Sequence, residues 1–127
     1  MSDCNACSRA CREENNVGYH HDQRWDNHWI RKVTLESKHD DHVESKLVLL
    51  LCNHCDNPPC TRVCPTQATW KREDGIVMMD WHRCIGCRYC VAACPYGSRS
   101  FNWRDPRPHV QDVNDEFPTR TRGVVEK

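Results

Sequence analysis

The stretch that decides the fold is residues 84–95, CIGCRYCVAACP, a C-x2-C-x2-C-x3-C-P run. Three thiolates on one tight loop, those of Cys84, Cys87 and Cys90, have the spacing that holds three irons of one [4Fe–4S] cube. The fourth cysteine, Cys94, follows a turn of helix later and faces the other way, where it ligates a second cube. The run is therefore half of a reciprocal pair, and it predicts a second run elsewhere in the chain.

Residues 52–65, CNHCDNPPCTRVCP, supply this second run, with the middle gap widened to four residues. Cross-ligation is the general rule for the motif, and applying it predicts two ligand sets. The set for cluster A is Cys52, Cys55, Cys60 and Cys94. The set for cluster B is Cys84, Cys87, Cys90 and Cys64. Each predicted cube then has four cysteine ligands, so neither offers an open iron to a substrate.

The eleven cysteines also admit a small disulfide-bonded fold or a zinc module. The odd count and the close spacing of the thiols disfavour disulfides, because such short loops strain the bond. A zinc ribbon uses C-x2-C pairs, but it leaves the third and fourth cysteine of each run without a role. A non-redox zinc or disulfide binding module is kept as the alternative of another class.

The charge balance and the hydropathy of the chain exclude further classes of function. Eighteen basic residues balance eighteen acidic ones and form no basic stripe, so nucleic acid is not an expected partner. The longest apolar stretch, residues 47–51, is far shorter than the roughly 18 residues of a membrane span. A short chain with few aliphatic residues buries little apolar surface, so we expect folding to depend on bound metal. No catalytic motif is found, which favours an electron carrier over an enzyme.

The pattern of short elements predicts an α+β fold, a bacterial 2x[4Fe–4S] ferredoxin-like module with short helices and hairpins. Part of a second module is implied by the family resemblance described below. We expect strands over 29–35 and 46–51, a helix over 89–93 and a closing strand over 98–103. Between them, Asp74-Gly75 predicts a hairpin with a type I′ turn, joining residues 68–73 to 76–80. The expected divisions are a partial first cluster motif with a connecting segment (1–45), the two-cluster core (46–103) and an extended surface tail (104–127).

Several residues beside the predicted ligands are candidates for secondary roles. Gly86 stands between two ligands, where a side chain would crowd the cube. His54, His82 and Arg88 are interpreted as charges or donors that tune the potential of a nearby cluster. A histidine ligand at His54, as in Rieske centres, is an alternative to this interpretation.

Two segments, CNHCDNPPCTRVCPTQATWKREDGIVMMD and CIGCRYCVAACPYGSRSFNW, resemble the dimethyl-sulfoxide-reductase B-subunit family, the iron–sulfur subunits of membrane-linked molybdopterin oxidoreductases. The segments DNPPC, PTQAT, ACPYGSRSFNW with the following DPRP, and FPTRTRGVVEK more closely resemble DsrO, the O subunit of the sulfite-reduction-associated DsrMKJOP complex. The resemblance covers essentially the whole chain. It implies fused ferredoxin modules with up to four cubes that act as a wire for electrons.

Two departures from the family pattern suggest a fragment. The family's first motif is also C-x2-C-x2-C-x3-C, and Met1 stands where its first cysteine belongs. The family's next cysteine pair follows a segment like RGVVEK, and this chain stops at Lys127. We therefore expect complete ligand sets for the two central clusters only, with Cys4, Cys7 and Cys11 belonging to incomplete outer clusters. The resemblance also implies an upstream twin-arginine export signal.

The leading hypothesis is an electron-transfer subunit on the periplasmic side of the cytoplasmic membrane, held there through a partner. That partner would be an integral-membrane quinone-interacting subunit, a multihaem cytochrome or another redox subunit, linked to dissimilatory sulfur metabolism. The alternative of the same chemistry is the B subunit of a molybdopterin oxidoreductase of the dimethyl sulfoxide, tetrathionate or polysulfide type.

Overall fold

The structure, a computed structural model, describes residues 4–22, 24–40 and 42–127. Within these ranges the chain forms short helices and paired strands, in this order: α1 (Ala6–Glu14), β1 (Arg31–His39), β2 (His42–Leu50), α2 (Pro59–Arg62), β3 (Thr69–Lys71), β4 (Val77–Met79), α3 (Tyr89–Ala93), β5 (Ser100–Phe101), a 3-10 turn (Arg107–His109) and β6 (Val125–Glu126). No helix of the described ranges has the length and apolar character needed to cross a bilayer.

The strands form three separate antiparallel pairs, β1 with β2, β3 with β4 and β5 with β6. The first pair is the longest, with a register running from Arg31 opposite Leu50 to His39 opposite His42. The two strands expected over 29–35 and 46–51 are therefore present with shifted bounds, and they belong to one hairpin. The expected connecting segment over residues 12–45 thus contains β1 and the start of β2, and helix α1 was not expected from the sequence.

The hairpin around Asp74-Gly75 is confirmed, with Thr69 opposite Met79 and Lys71 opposite Val77. The predicted type I′ turn is wrong, because of these two residues only Gly75 has a positive φ, of 88°. The N–H of Gly75 instead donates to the carbonyl of Arg72 at 3.0 Å. A type I turn followed by a left-handed glycine is the usual longer hairpin connection, and it suits this five-residue loop.

Helix α3 has the bounds that the sequence predicts, and it ends before Pro95 because proline cannot continue a helix. The closing strand is shorter than expected, since β5 contains only Ser100 and Phe101. The prediction that the whole tail lies on the surface is wrong for its last part. Strand β6 pairs with β5, and its Val125 and Glu126 are both 1% exposed.

The core is small and is built around the two cysteine runs. Its buried members are Cys60, Ala68, Val77, Met79, Cys90 and Val125. Partly buried Cys64, Trp81, Cys84, Val91 and Phe101 pack against them. Two of the six central side chains are thus cysteines that the sequence predicts as ligands, so the core and the candidate site are the same region.

Candidate cluster-binding site

The first cysteine loop, residues 52–60 (loop A), leads from β2 into α2. Pro59 is the first residue of α2, a position that suits proline because its missing N–H would have no helical partner there. His54 has a φ of 44°, and its Nδ1 accepts a hydrogen bond from the backbone N–H of Val77 at 2.9 Å. Lys71 Nζ donates to the carbonyls of Cys55 at 3.1 Å and Asp56 at 3.0 Å. The β3–β4 hairpin therefore holds loop A in place.

The second cysteine loop, residues 84–90 (loop B), leads into α3 and leans on the tail. Gly86 has a φ of 69°, and a Cβ there would lie 2.3 Å from the carbonyl oxygen of Gly123. The need for glycine thus comes from the protein backbone, in addition to the expected crowding by the cube. Arg88, also left-handed with a φ of 63°, lies over the rings of Phe101 and Trp103 at 5.3 and 4.7 Å.

The structure brings cysteines from both runs to one small cavity beside α2. Its cysteine lining is Cys52, Cys55, Cys60 and Cys94. Three of these belong to loop A, while Cys94 follows α3 in the other run. Pro58, Val77 and Arg99 also line the cavity. Four thiols of distant sequence positions therefore converge on a common space.

A second group of thiols in the same core contains members of loop B and one cysteine of the first run. Cys90 is near enough to Cys84 and Cys64 for their thiolate charges to raise its pKa, after the larger effect of burial. Cys84 and Cys64 also pack against the core that contains Cys90. Cys87 is half-buried in loop B. Here too a cysteine of the other run, Cys64, lies with members of the local triplet.

The buried thiols have opposing electrostatic influences. Burial raises the pKa of Cys60 and of Cys90, and the charge of the Arg99 guanidinium counters this rise at both. Burial would also raise the pKa of Cys64, but hydrogen bonds from the backbone of Thr69, Thr66 and Ala68 and from the Thr66 hydroxyl lower it below its usual range. The thiolate is the ligand form of cysteine, so the Arg99 charge and the hydrogen bonds to Cys64 favour metal ligation.

The donor set fits an iron–sulfur cluster. Each group of thiols has hydrogen-bond donors or a positive charge nearby, which is the environment of a negatively charged cysteine-ligated group. One terminal nitrogen of the buried Arg99 has no hydrogen-bond partner among the described residues, although Arg99 lines the cavity. Among those same residues, no three His, Cys, Asp or Glu side chains lie close enough to hold a single metal ion. All eleven cysteines fall within the described ranges, and each is a free thiol.

The amino-terminal cysteines lie on or beside helix α1. Cys7 and Cys11 are four residues apart on this helix, so they share one face, and Cys4 precedes it. Cys4 and Cys7 are exposed, and Cys11 is half-buried. Burial raises the pKa of the Cys11 thiol, and a hydrogen bond from the Asn15 amide opposes that rise. The structure brings no further described cysteine to this group.

Some predicted secondary residues have other contacts, and some functional contacts were missed. His54 faces the backbone of the hairpin through its ring, and His82 is exposed, with its backbone N–H donating to Asp80 at 2.9 Å. Arg99, Lys71 and Gly123 were not singled out from the sequence. None of the three carries a recognisable signal of its contacts in the sequence.

Two reciprocal cysteine runs, short helices between hairpins and a shared core define a two-cluster ferredoxin-like iron–sulfur protein. Residues 43–113 match the sequence profile of the 4Fe-4S dicluster domain family. The chain belongs to this family, and its cofactors are [4Fe–4S] clusters.

Curated relatives carry names of the same kind. The chain is 51% identical, over 95% of its length, to "Hdr-like menaquinol oxidoreductase iron-sulfur subunit 1" of Archaeoglobus fulgidus, of which it covers 45%. It is 39% identical, over 98% of its length, to a Halobacterium salinarum protein named as a dimethyl sulfoxide reductase iron–sulfur subunit, of which it covers 50%. It is 41% identical, over 98%, to "Menaquinone reductase, iron-sulfur cluster-binding subunit" of Nitratidesulfovibrio vulgaris, of which it covers 52%. The chain thus spans about half the length of these relatives.

Proposed function

We propose that this chain is the electron-relay portion of an iron–sulfur subunit in a membrane-associated respiratory oxidoreductase complex. The observation that carries the proposal is the convergence of thiols from both cysteine runs in two groups within one core. A [4Fe–4S] cluster exchanges electrons and has no open coordination position when four thiolates hold it. The chain is therefore a carrier, and the substrate chemistry belongs to a partner.

The ligand sets of the proposal are those expected from the motif. Cluster A takes Cys52, Cys55, Cys60 and Cys94. Cluster B takes Cys84, Cys87, Cys90 and Cys64. The cavity that the first four cysteines line supports set A. The proximity of Cys90 to Cys84 and Cys64 supports three members of set B, and Cys87 enters it through the motif alone.

Cys4, Cys7 and Cys11 are proposed to serve outer clusters whose remaining ligands lie outside this sequence. The relatives are about twice as long as this chain, which leaves room for such ligands. In the complete protein, the relay would then contain up to four cubes.

For the complex itself, we propose a quinone-interacting membrane partner and a link to sulfur metabolism of the DsrO type. The menaquinol and menaquinone names of two relatives support the quinone link. The dimethyl sulfoxide reductase and tetrathionate reductase names of two others favour a second candidate, the B subunit of a molybdopterin oxidoreductase. Purification of the intact complex from its native membrane separates the two. Molybdenum in the complex indicates the second candidate, and c-type haem without molybdenum indicates the first.

We further propose that the subunit lies on the periplasmic side, attached through its partner. This placement rests on the resemblance to DsrO. Protease digestion of the native subunit in intact spheroplasts tests it, because a periplasmic subunit is cleaved there and a cytoplasmic one is protected until the cells are lysed.

The first experiment is metal and sulfide analysis of anaerobically reconstituted protein, with EPR spectroscopy after dithionite reduction. Two cubes require about eight irons and about eight labile sulfides per chain, and the reduced protein should give spectra of two interacting [4Fe–4S]⁺ centres. A brown colour that dithionite bleaches is expected as well. A colourless protein that binds zinc without sulfide would reject the relay and favour a non-redox zinc module.

A further inference from the structure

Arg99 is a buried residue whose charge acts on a cysteine of each group of thiols. It is 4% exposed and lines the cavity formed by Cys52, Cys55, Cys60 and Cys94. One terminal nitrogen donates to the Thr69 hydroxyl at 3.0 Å and to the Met79 sulfur at 3.3 Å. The other terminal nitrogen has no partner among the described residues. A guanidinium has five N–H donors, so Arg99 has donor capacity beyond its bonds to Thr69 and Met79.

The other buried arginines differ from Arg99 in having a carboxylate partner. Arg120, 1% exposed, forms an ion pair with Glu126 at 3.2 Å. Arg12 contacts Asp26 at 2.8 Å, and the two side chains are 14% and 4% exposed. In the described parts of the chain, no carboxylate forms an ion pair with Arg99. Because an arginine stays charged and a buried charge without a counter-charge is strongly unfavourable, Arg99 requires a negative group that is not a carboxylate.

The groups that approach Arg99 are cysteine thiols, which become negative when they ligate iron, and they belong to both cysteine runs. Its charge acts on Cys60 and on Cys90, which belong to the two different proposed ligand sets. These two cysteines are also the buried ones among the eleven. A single guanidinium therefore faces one buried ligand of each proposed cluster, and it does so from a site shielded from solvent.

We propose that Arg99 is the shared counter-charge of the two clusters and raises both reduction potentials from one position. The inference rests on the proposed ligand sets. Reduction adds a negative charge to a cluster, and a buried positive charge favours that reduced state. Because the same charge acts on both clusters, it raises the two potentials together and leaves the difference between them nearly unchanged.

The test is a redox titration of the full chain, followed by EPR, in the wild type and three variants. Arg99→Met keeps most of the side-chain volume and removes the charge. At a fixed poise, we expect the ratio of reduced to oxidised cluster to fall about tenfold for both clusters, or about 59 mV for each one-electron couple. Arg99→Lys keeps the charge, so both midpoints should stay closer to the wild type than those of Arg99→Met. Arg62→Met, at an exposed arginine within the first cysteine run, should change both ratios much less, because water screens its charge.

A shift of one midpoint alone in Arg99→Met, or of neither, would overturn the shared role. If Arg99→Met binds no clusters, the Arg99→Lys variant is the test. We expect that variant to bind iron and to have both midpoints near those of the wild type. A large shift of one midpoint alone in that variant would contradict the proposal. Iron and sulfide analysis is done first on each protein. A wild-type chain without clusters rejects the proposed function, whereas loaded chains whose midpoints do not move reject only the role of Arg99.

Discussion

Loop A and loop B each place a residue with positive φ directly before their second cysteine, His54 in one and Gly86 in the other. In loop A the His54 ring accepts a hydrogen bond from Val77, in a hairpin about twenty residues later in the chain. In loop B a side chain is excluded, because the carbonyl of Gly123 occupies the space beside Gly86. The same local backbone geometry is therefore stabilised by a nearby hairpin in loop A and by a distant tail in loop B. The difference predicts that the two loops respond differently to mutation.

The largest expected effect comes from the fourth cysteine of each run. Cys94→Ser should remove cluster A and leave cluster B, because Cys94 lines the cavity with the loop A cysteines. Cys64→Ser should do the reverse. In each variant, iron should fall from about eight to about four per chain, with EPR showing which centre remains. If Cys94→Ser instead lost cluster B, or Cys64→Ser lost cluster A, the ligands would not be exchanged between the two runs.

The tail that supports loop B contains a buried ion pair whose removal should destabilise the folded protein. Arg120 lies over the rings of Trp29, Trp81 and Phe117 at 5.0, 5.3 and 5.6 Å, and it pairs with Glu126. Arg120→Met leaves the carboxylate buried without its counter-charge, which should cost about 3–5 kcal/mol of unfolding free energy. Denaturant unfolding of the reconstituted protein measures this loss.

The matched control for that experiment is Arg107→Met, at an exposed arginine that also contacts a carboxylate, that of Asp105. An exposed pair contributes at most about 1 kcal/mol, so this control should unfold nearly as the wild type does. Equal losses in the two variants would mean that the buried pair does not support the loop B side of the molecule.

The comparison of the two left-handed positions gives a third prediction. Gly86→Ala places a Cβ against the Gly123 backbone at a φ of 69°, and we expect a loss of about 2–3 kcal/mol. His54→Gly relieves a strained φ but removes the hydrogen bond from Val77, so its net effect should stay within about 1 kcal/mol. The difference between the denaturation midpoints of the two variants is the readout. A larger loss for His54→Gly than for Gly86→Ala would contradict this prediction.

Much of the architecture around the cysteine runs can be predicted from the sequence, because these elements depend on nearby residues. Helix α3 and the hairpin at Gly75 follow from residues within a few positions of themselves. The tail could not be predicted in this way. Its polar sequence suggests a surface segment, yet Arg120 and Glu126 are buried because each is the other's partner, and Trp29 donates to that glutamate at 2.8 Å.

The candidate site also has a part that the sequence predicts and a part that it does not. The thiols that converge on the cavity were expected from a rule about the motif, while the role of Arg99 depends on contacts with Thr69 and Met79, thirty and twenty residues away. A charged residue beside a short strand carries no mark of such contacts in its sequence. The type I′ turn was predicted wrongly for a related reason, since Asp-Gly is compatible with more than one loop length, and the pairing of Lys71 with Val77 fixes the longer loop.

The smallest expected effect tests whether the hairpin holds loop A through side chains as well as through its backbone. Lys71, with 27% of its side chain exposed, donates to the carbonyls of Cys55 and Asp56. Lys71→Met should lower the unfolding free energy by about 1 kcal/mol and leave cluster B unchanged, because its contacts lie in loop A alone. Arg72→Met, at the next residue and with an exposed partner in Asp74, is the control and should have a smaller effect. If cluster A in Lys71→Met bleaches in air no faster than in the control, the backbone hydrogen bond to His54 is sufficient to hold the loop.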